Sequence, residues 1–229
     1  PEGEDGGDQP RHLPDRQPRT PVRNADRFAC VRVQVPVSTS RNETHPTAMD
    51  LNIDVHAEYD RLRAFYDETE ALLDEPDDVL FAANEAVSDW SLAQHLYHIW
   101  LANGRSLKAA VLMPQGRLSL EGGGSPNATG RQVLTEERFV RGQAEAPDNV
   151  RPPVSVTREE LAETFRRSRA KLDELAPHLD ALAGVTQRLE HPQLGLLDGP
   201  EWLRFVRVHS EHHLAIVRDI LQAETSHPE

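Results

Sequence analysis

Two histidines one helical turn apart, His209 and His213, sit in the middle of an apolar stripe near the end of the chain. At roughly 100° per residue, Trp202, Phe205, Val206, His209, His213, Ile216 and Ile220 share one helix face. Arg204, Arg207, Glu211 and Arg218 lie on or near the other. Two imidazoles in such a stripe are costly unless each finds a polar partner. One divalent cation satisfies both, because histidines at i and i+4 can reach the same ion. The competing explanation is structural: a pair of core histidines bonded to carbonyls or to each other. His212 falls toward the edge of the stripe, where a supporting or surface role fits.

A third donor has to come from another helix. The stretch Trp90-Ser91-Leu92-Ala93-Gln94-His95-Leu96-Tyr97-His98 offers His95 and His98. The apolar stripe there centres near Leu96, Trp100 and Leu107, and neither histidine lies on it. Periodicity alone leans slightly to His95. His56 and His191 are weaker candidates. Trp90 reads as a residue packing back onto the first helical turn, Gln94 as a capping residue, and Tyr97, Trp100 and Trp202 as core. Glu211 points to solvent on the helical wheel.

Four helical segments position these residues. The first spans about 52–74, with Val55, Tyr59, Leu62, Tyr66, Thr69 and Leu73 at spacings of three and four. The second opens at Ser91 with a capping box to Gln94 and stops near Leu112, before Pro114 and Gly116. The third opens at Thr157, capped with Glu160, and carries Leu161, Phe165, Ser168, Leu172, Leu175 and Leu179 along a heptad-like seam. The fourth opens at Asp198-Gly199-Pro200-Glu201, with proline in the first turn, and runs to about Ala223. Between the second and third lies a Gly- and Pro-rich connection, about 113–157, too long for an ordinary turn. It must cross over, cover something or move. The expected fold is all-α: a four-helix bundle with a long crossover connection between helices two and three. No strand pattern or internal repeat competes with it.

Residues 1–48 differ in character. They hold 7 of the 17 prolines, and seven Arg balance seven Asp plus Glu, so the net charge of −13 belongs to the remainder. We read 1–48 as a disordered or non-native extension, with Met49 as the expected natural start, and 49–225 as the folded domain. No signal peptide is visible, and the acidic residues of the stretch argue against a transit peptide.

The acid excess, 38 Asp plus Glu against 25 Lys plus Arg, argues against binding to nucleic acid or anionic membrane, since phosphate binding needs a cationic surface. The single cysteine, Cys30, excludes an intrachain disulfide framework and a multi-cysteine zinc site. No apolar run approaches the roughly 20 residues of a membrane-spanning helix. These features lead us to expect a cytoplasmic protein.

The motifs Trp90-Ser91, Gln94 and His98, followed by His209-Ser210-Glu211-His212-His213-Leu214, resemble those of the DinB-like superfamily, in particular its YfiT-type metal-binding members. His191-Pro192-Gln193-Leu194-Gly195, followed by Glu201-Trp202-Leu203, is similar to the start of the last helix in some branches. The resemblance covers about 50–223, although the central connection is long for the family. Carried over by residue, it implies His98, His209 and His213 as metal ligands and so selects His98 over His95. Three imidazoles suit a divalent metal, zinc or nickel by donor type, with coordination positions left open. Some relatives are thiol-dependent. The resemblance therefore implies a metal-dependent transferase that conjugates a low-molecular-weight thiol to an electrophile, with a small-molecule substrate and a homodimeric state. A metal-dependent hydrolase is one alternative, and a non-catalytic, metal-stabilised binding or stress-response protein is the other. No catalytic side chain is assigned, and Cys30, in the tail, is not a candidate nucleophile.

Overall fold

The computed structural model of the chain describes residues 51–142 and 145–225, with side chains through 223. The stretch 1–48 and Cys30 lie outside the described residues. Among the described residues, seven α-helices follow in order: α1 (Val55–Ala71), α2 (Asp77–Phe81), α3 (Leu92–Leu112), α4 (Ala128–Glu136), α5 (Arg158–Leu175), α6 (Leu179–Ala183) and α7 (Gly199–Thr225). Between α6 and α7 lies one antiparallel hairpin, β1 (Leu189–His191) and β2 (Gly195–Leu197), pairing Leu189 with Leu197 and His191 with Gly195. The fold is thus mostly helical. No helix among the described residues is long and apolar enough to cross a membrane.

Local chemistry sets the helix starts. Asp54 caps α1 by accepting from the amides of His56 and Ala57. Ser91 and Gln94 close a reciprocal box at α3, and Thr157 and Glu160 do so at α5. Asp198 and Glu201 form a third such pair at α7, each carboxylate accepting from the other's amide, at 3.0 and 3.1 Å. Each cap satisfies amides that the helix itself leaves without partners, worth about 1 kcal/mol.

The four long helices share one apolar interior. α3 packs on α5 and α7, while α1 packs on α7 and also touches α5. Leu62, Leu96, Trp100, Leu107, Leu161, Leu172, Leu203 and Val206 are buried together. Each buried aliphatic or aromatic side chain contributes about 1.5–3 kcal/mol. Polar groups in this interior pair with one another: Asn103 of α3 donates to Ser210 of α7 at 2.9 Å, and Trp202 Nε1 donates to the Ser106 carbonyl at 2.9 Å. Both bonds fix the register of α3 against α7, the two helices that carry the candidate ligands.

Three features depart from the sequence reading. The central connection contains α4, capped by Asn127, and it leans on the hairpin through the bond from Asn127 N to the Leu194 carbonyl (2.8 Å). The hairpin itself escaped notice because three-residue strands are too short to show an alternating pattern. Its Gly195 has φ +81°, and a Cβ there would lie 2.7 Å from Asn127 N, so glycine is required on both counts. The buried face of α1 keeps Val55, Leu62, Tyr66 and Thr69 of the expected stripe and adds Glu58 and Phe65, with Tyr59 only half-buried.

Glu58 belongs to a buried ion network. Arg207, fully buried, donates to Glu58 (2.6 Å), Glu137 (2.6 Å) and Glu211 (2.8 Å), and Arg204 donates to Glu58 at 2.8 Å. Arg61 adds bonds to Glu211 and Glu137 from the outside. The charged side of α7 therefore faces α1 and the end of α4, and Glu211 is an ion-pair partner instead of a solvated residue.

Candidate metal centre

α7 is a rigid 27-residue helix, so His209 and His213 project one turn apart from the same side. α3 lies against that side and contributes His95 and His98, both buried. One donor nitrogen from each of His98, His209 and His213 lies within 4.8 Å of the others. The ring centroids are 4.7 Å apart for His98 and His213, 4.8 Å for His209 and His213, and 5.4 Å for His98 and His209. Metal–imidazole bonds of about 2.0–2.1 Å require donors that converge from this kind of spacing onto one ion.

The surroundings orient the rings. His98 Nδ1 donates to the Val150 carbonyl at 2.8 Å, which directs its proton outward and leaves Nε2 as an electron-pair donor. Val150 is held by the central connection. That segment is tied to α3 by Gln94, whose Nε2 donates to the carbonyls of Pro153 (3.0 Å) and Val154 (3.2 Å). Gln94 thus caps α3 and tethers the segment that orients His98, and only the first role was legible in the sequence. His209 differs from its neighbours. Among the described residues none hydrogen-bonds its ring, which touches Phe205, Phe139, His98 and His213. Three imidazole nitrogens within 4.8 Å of one another form a donor set that fits a divalent cation.

The walls are aromatic. Trp90 lies over His95 and His98, with centroids 5.2 and 5.1 Å away, and runs nearly parallel to His213 at 14° and 6.4 Å. Phe205 stacks on His209 at 23°, and Phe139 meets both His209 and His212 at 5.7 Å. Phe139 reaches the site because Glu137, with φ +50°, ends α4 and turns the chain back. Trp90 and Phe139 are therefore site residues that sequence reasoning placed in the packing or did not single out. No spacing rule could have found Phe139, since its place depends on the path of the connection.

The remaining histidines separate from the cluster. His212 stands at the rim beside His213 and Phe139. His191, on β1, packs against Phe205 at 4.4 Å. His56 is exposed, bonds Asp180 at 2.8 Å and is not part of the three-donor group. His95 adjoins the cluster without joining it: its Nδ1 is 3.2 Å from His213 Nδ1, and its Nε2 is 2.9 Å from Ser88 Oγ.

Burial holds the imidazoles neutral. It pushes His209 and His213 well below the ordinary value of 6.5, helped by repulsion among the neighbouring rings. Burial, with lesser contributions from His98, His212 and Arg141, lowers His95 to about 4, and burial also lowers His98 against the opposing bond to Val150. Neutral imidazole is the metal-binding form. The unfolded chain takes up these protons near pH 6.5, whereas the folded chain resists until lower pH, about 4 for His95. Between those limits the unfolded state binds more protons, so stability falls as pH falls. We expect the urea midpoint of metal-free protein to be higher at pH 7.5 than at pH 5, declining continuously between them. A midpoint flat over that range would contradict the burial of these rings.

A family model of the DinB superfamily matches residues 61–217, a span that includes α3, α7 and all three clustered histidines. No curated protein and no solved structure matches the chain.

Proposed function

The chain belongs to the DinB superfamily, and from that premise we propose that His98, His209 and His213 hold one divalent cation in an open, three-histidine centre serving a thiol-dependent transferase. The observation that carries this reading is the convergence of three neutral imidazoles from α3 and α7 within 4.8 Å. Zinc or nickel suits three nitrogen donors. Four long helices, α1, α3, α5 and α7, are read as a bundle whose crossover connection covers one side of the centre. When bound, a cation with three protein ligands supplies Lewis acidity at its open positions and lowers the pKa of a thiol or water there.

The chain's own residues prepare the site for this chemistry. Val150 keeps the His98 proton turned outward. The helical spacing of His209 and His213 fixes two donors on one rigid element, and Trp90, Phe139 and Phe205 shield the flanks from water. Shielding strengthens electrostatic stabilisation of a thiolate, since the local dielectric falls. The proposed reaction joins the sulfur of a low-molecular-weight thiol to an electrophilic carbon: the S–H bond breaks and its proton passes to solvent, while the bond from that carbon to its leaving group breaks and the leaving group departs with the electron pair. The substrate is then a small molecule with an electrophilic carbon, and the protein supplies no nucleophile of its own.

Thiol consumption with a panel of electrophiles, measured with and without chelator, tests this function. We expect metal-loaded protein to consume thiol above the uncatalysed rate and chelated protein to lose that excess while staying folded. Full metal occupancy without thiol consumption would contradict the transferase. Hydrolysis of an ester or amide under the same conditions would identify a hydrolase instead. Melting on chelation, without turnover, would identify a metal-stabilised binding protein.

A further inference from the structure

We infer that His95 is a positioning residue for His213, the middle of a directional hydrogen-bond relay that runs from His213 through His95 to Ser88. The inference rests on the three-histidine reading and assigns a role to the buried imidazole, among the described residues, which that reading leaves over. His95 Nδ1 and His213 Nδ1 are 3.2 Å apart, so one carries a proton and the other accepts it. His213 Nδ1 is thereby committed to His95, and Nε2 remains as its donor to a cation. His213 then carries its proton on Nδ1 and donates it to His95. That leaves the proton of neutral His95 on Nε2, which faces Ser88 Oγ at 2.9 Å. Ser88 also accepts from the Trp90 amide at 3.2 Å, so both of its lone-pair directions are used and the relay ends there.

The geometry around His95 keeps the relay in place. The ring is 3 % exposed, and it is wedged between α7 and the Trp90 indole, whose centroid lies 5.2 Å away. The same indole runs nearly parallel to His213. His95 is thus held on one side by an aromatic plane and at both nitrogens by hydrogen bonds. The two outer partners of the centre differ in kind. Val150 offers His98 a backbone carbonyl, which can only accept. His95 offers His213 an imidazole nitrogen, which accepts because the His95 proton lies on Nε2 toward Ser88. An outer partner of this type fixes the tautomer and ring orientation of a ligand, and its loss typically weakens metal binding 10–100-fold.

The test is a cobalt(II) titration of the full chain and of its His95→Phe and His95→Asn variants, beside nitrogen-15 NMR of zinc-loaded wild type. Phe fills the space but accepts nothing, whereas the Asn carbonyl replaces Nδ1. We expect His95→Phe to bind cobalt about 10–100-fold more weakly and His95→Asn to recover most of the loss, a rescue that a packing role would not give. In the wild type, the spectra should place the proton of His213 on Nδ1 and that of His95 on Nε2, a readout that needs no variant to fold. Cobalt binding by His95→Phe equal to wild type, or a His213 proton on Nε2, would overturn the relay. Failure of the wild type itself to take up cobalt would remove the three-histidine centre and the relay with it, whereas normal wild-type binding with an indifferent His95 removes the relay alone.

Discussion

Replacing His213 with alanine is expected to strip the protein of most of its bound metal. His213 is the ring with the most connections in the cluster: it neighbours His98 and His209 as a fellow donor, and His95 holds its far side. Removing it leaves two donors on separate helices, His98 on α3 and His209 on α7. The loss should exceed the 10–100-fold that changes to outer partners cost, because a bond to the ion itself disappears. His213 is half-buried and is not among the buried apolar residues of the core, so the fold should survive the truncation. Metal analysis of purified wild type and variant, with circular dichroism as the folding control, measures both. Undiminished stoichiometric metal in the variant would contradict the assignment of His213.

The second large effect concerns stability. Arg207 is fully buried and reaches three carboxylates, and Glu58, at 3 % exposure, depends on Arg207 and Arg204 for its partners. Truncating Arg207 to alanine strands a buried carboxylate with half its partners gone. Such a break costs about 3–5 kcal/mol, more than most single substitutions. For a domain of this size that lowers Tm by on the order of 10 °C. The cost comes from the abandoned charge more than from the lost attraction. The double variant Arg207→Met with Glu58→Leu should therefore be more stable than Arg207→Ala, since no unpaired charge remains at Glu58. Thermal unfolding of both variants checks this. An Arg207→Ala variant within 1 kcal/mol of wild type, the scale of an ordinary surface change, would mean that the network is not closed in solution.

This network also shows where reading the sequence fails. A helical wheel equates charge with solvent, and by that rule Arg207 and Glu211 belonged outside. Their partners Glu58 and Glu137 are distant in the chain, so nothing local signalled that the charged side of α7 was covered. The helix starts are the opposite case. Ser91 with Gln94 and Thr157 with Glu160 are complete within four residues, and the structure contains both boxes as read.

The candidate site falls between these extremes. His209 and His213 were visible because one turn of one helix places both in a single stripe. The choice between His95 and His98 was not, because α3 is buried nearly all round at its first two turns. Leu92, Ala93, His95, Leu96, His98, Ile99 and Trp100 are all inside, so hydrophobicity defines no face there. Periodicity leaned to His95 and the family motif to His98. The structure puts the His98 nitrogen with those of His209 and His213, and His95 one step behind. Trp90, Phe139 and the Val150 carbonyl escaped because their places are set by how the connection folds back over α3 and α7, a long-range property with no local pattern.

An anomalous-diffraction measurement on crystals of the zinc-loaded full chain, taken at the zinc edge, bears most directly on whether the histidines of α3 and α7 share an ion. One strong peak per chain is expected within bonding distance of His98, His209 and His213, with His95 turned away toward Ser88. A zinc-replete protein whose peak lies elsewhere, or touches only one of the three rings, would contradict a shared ion.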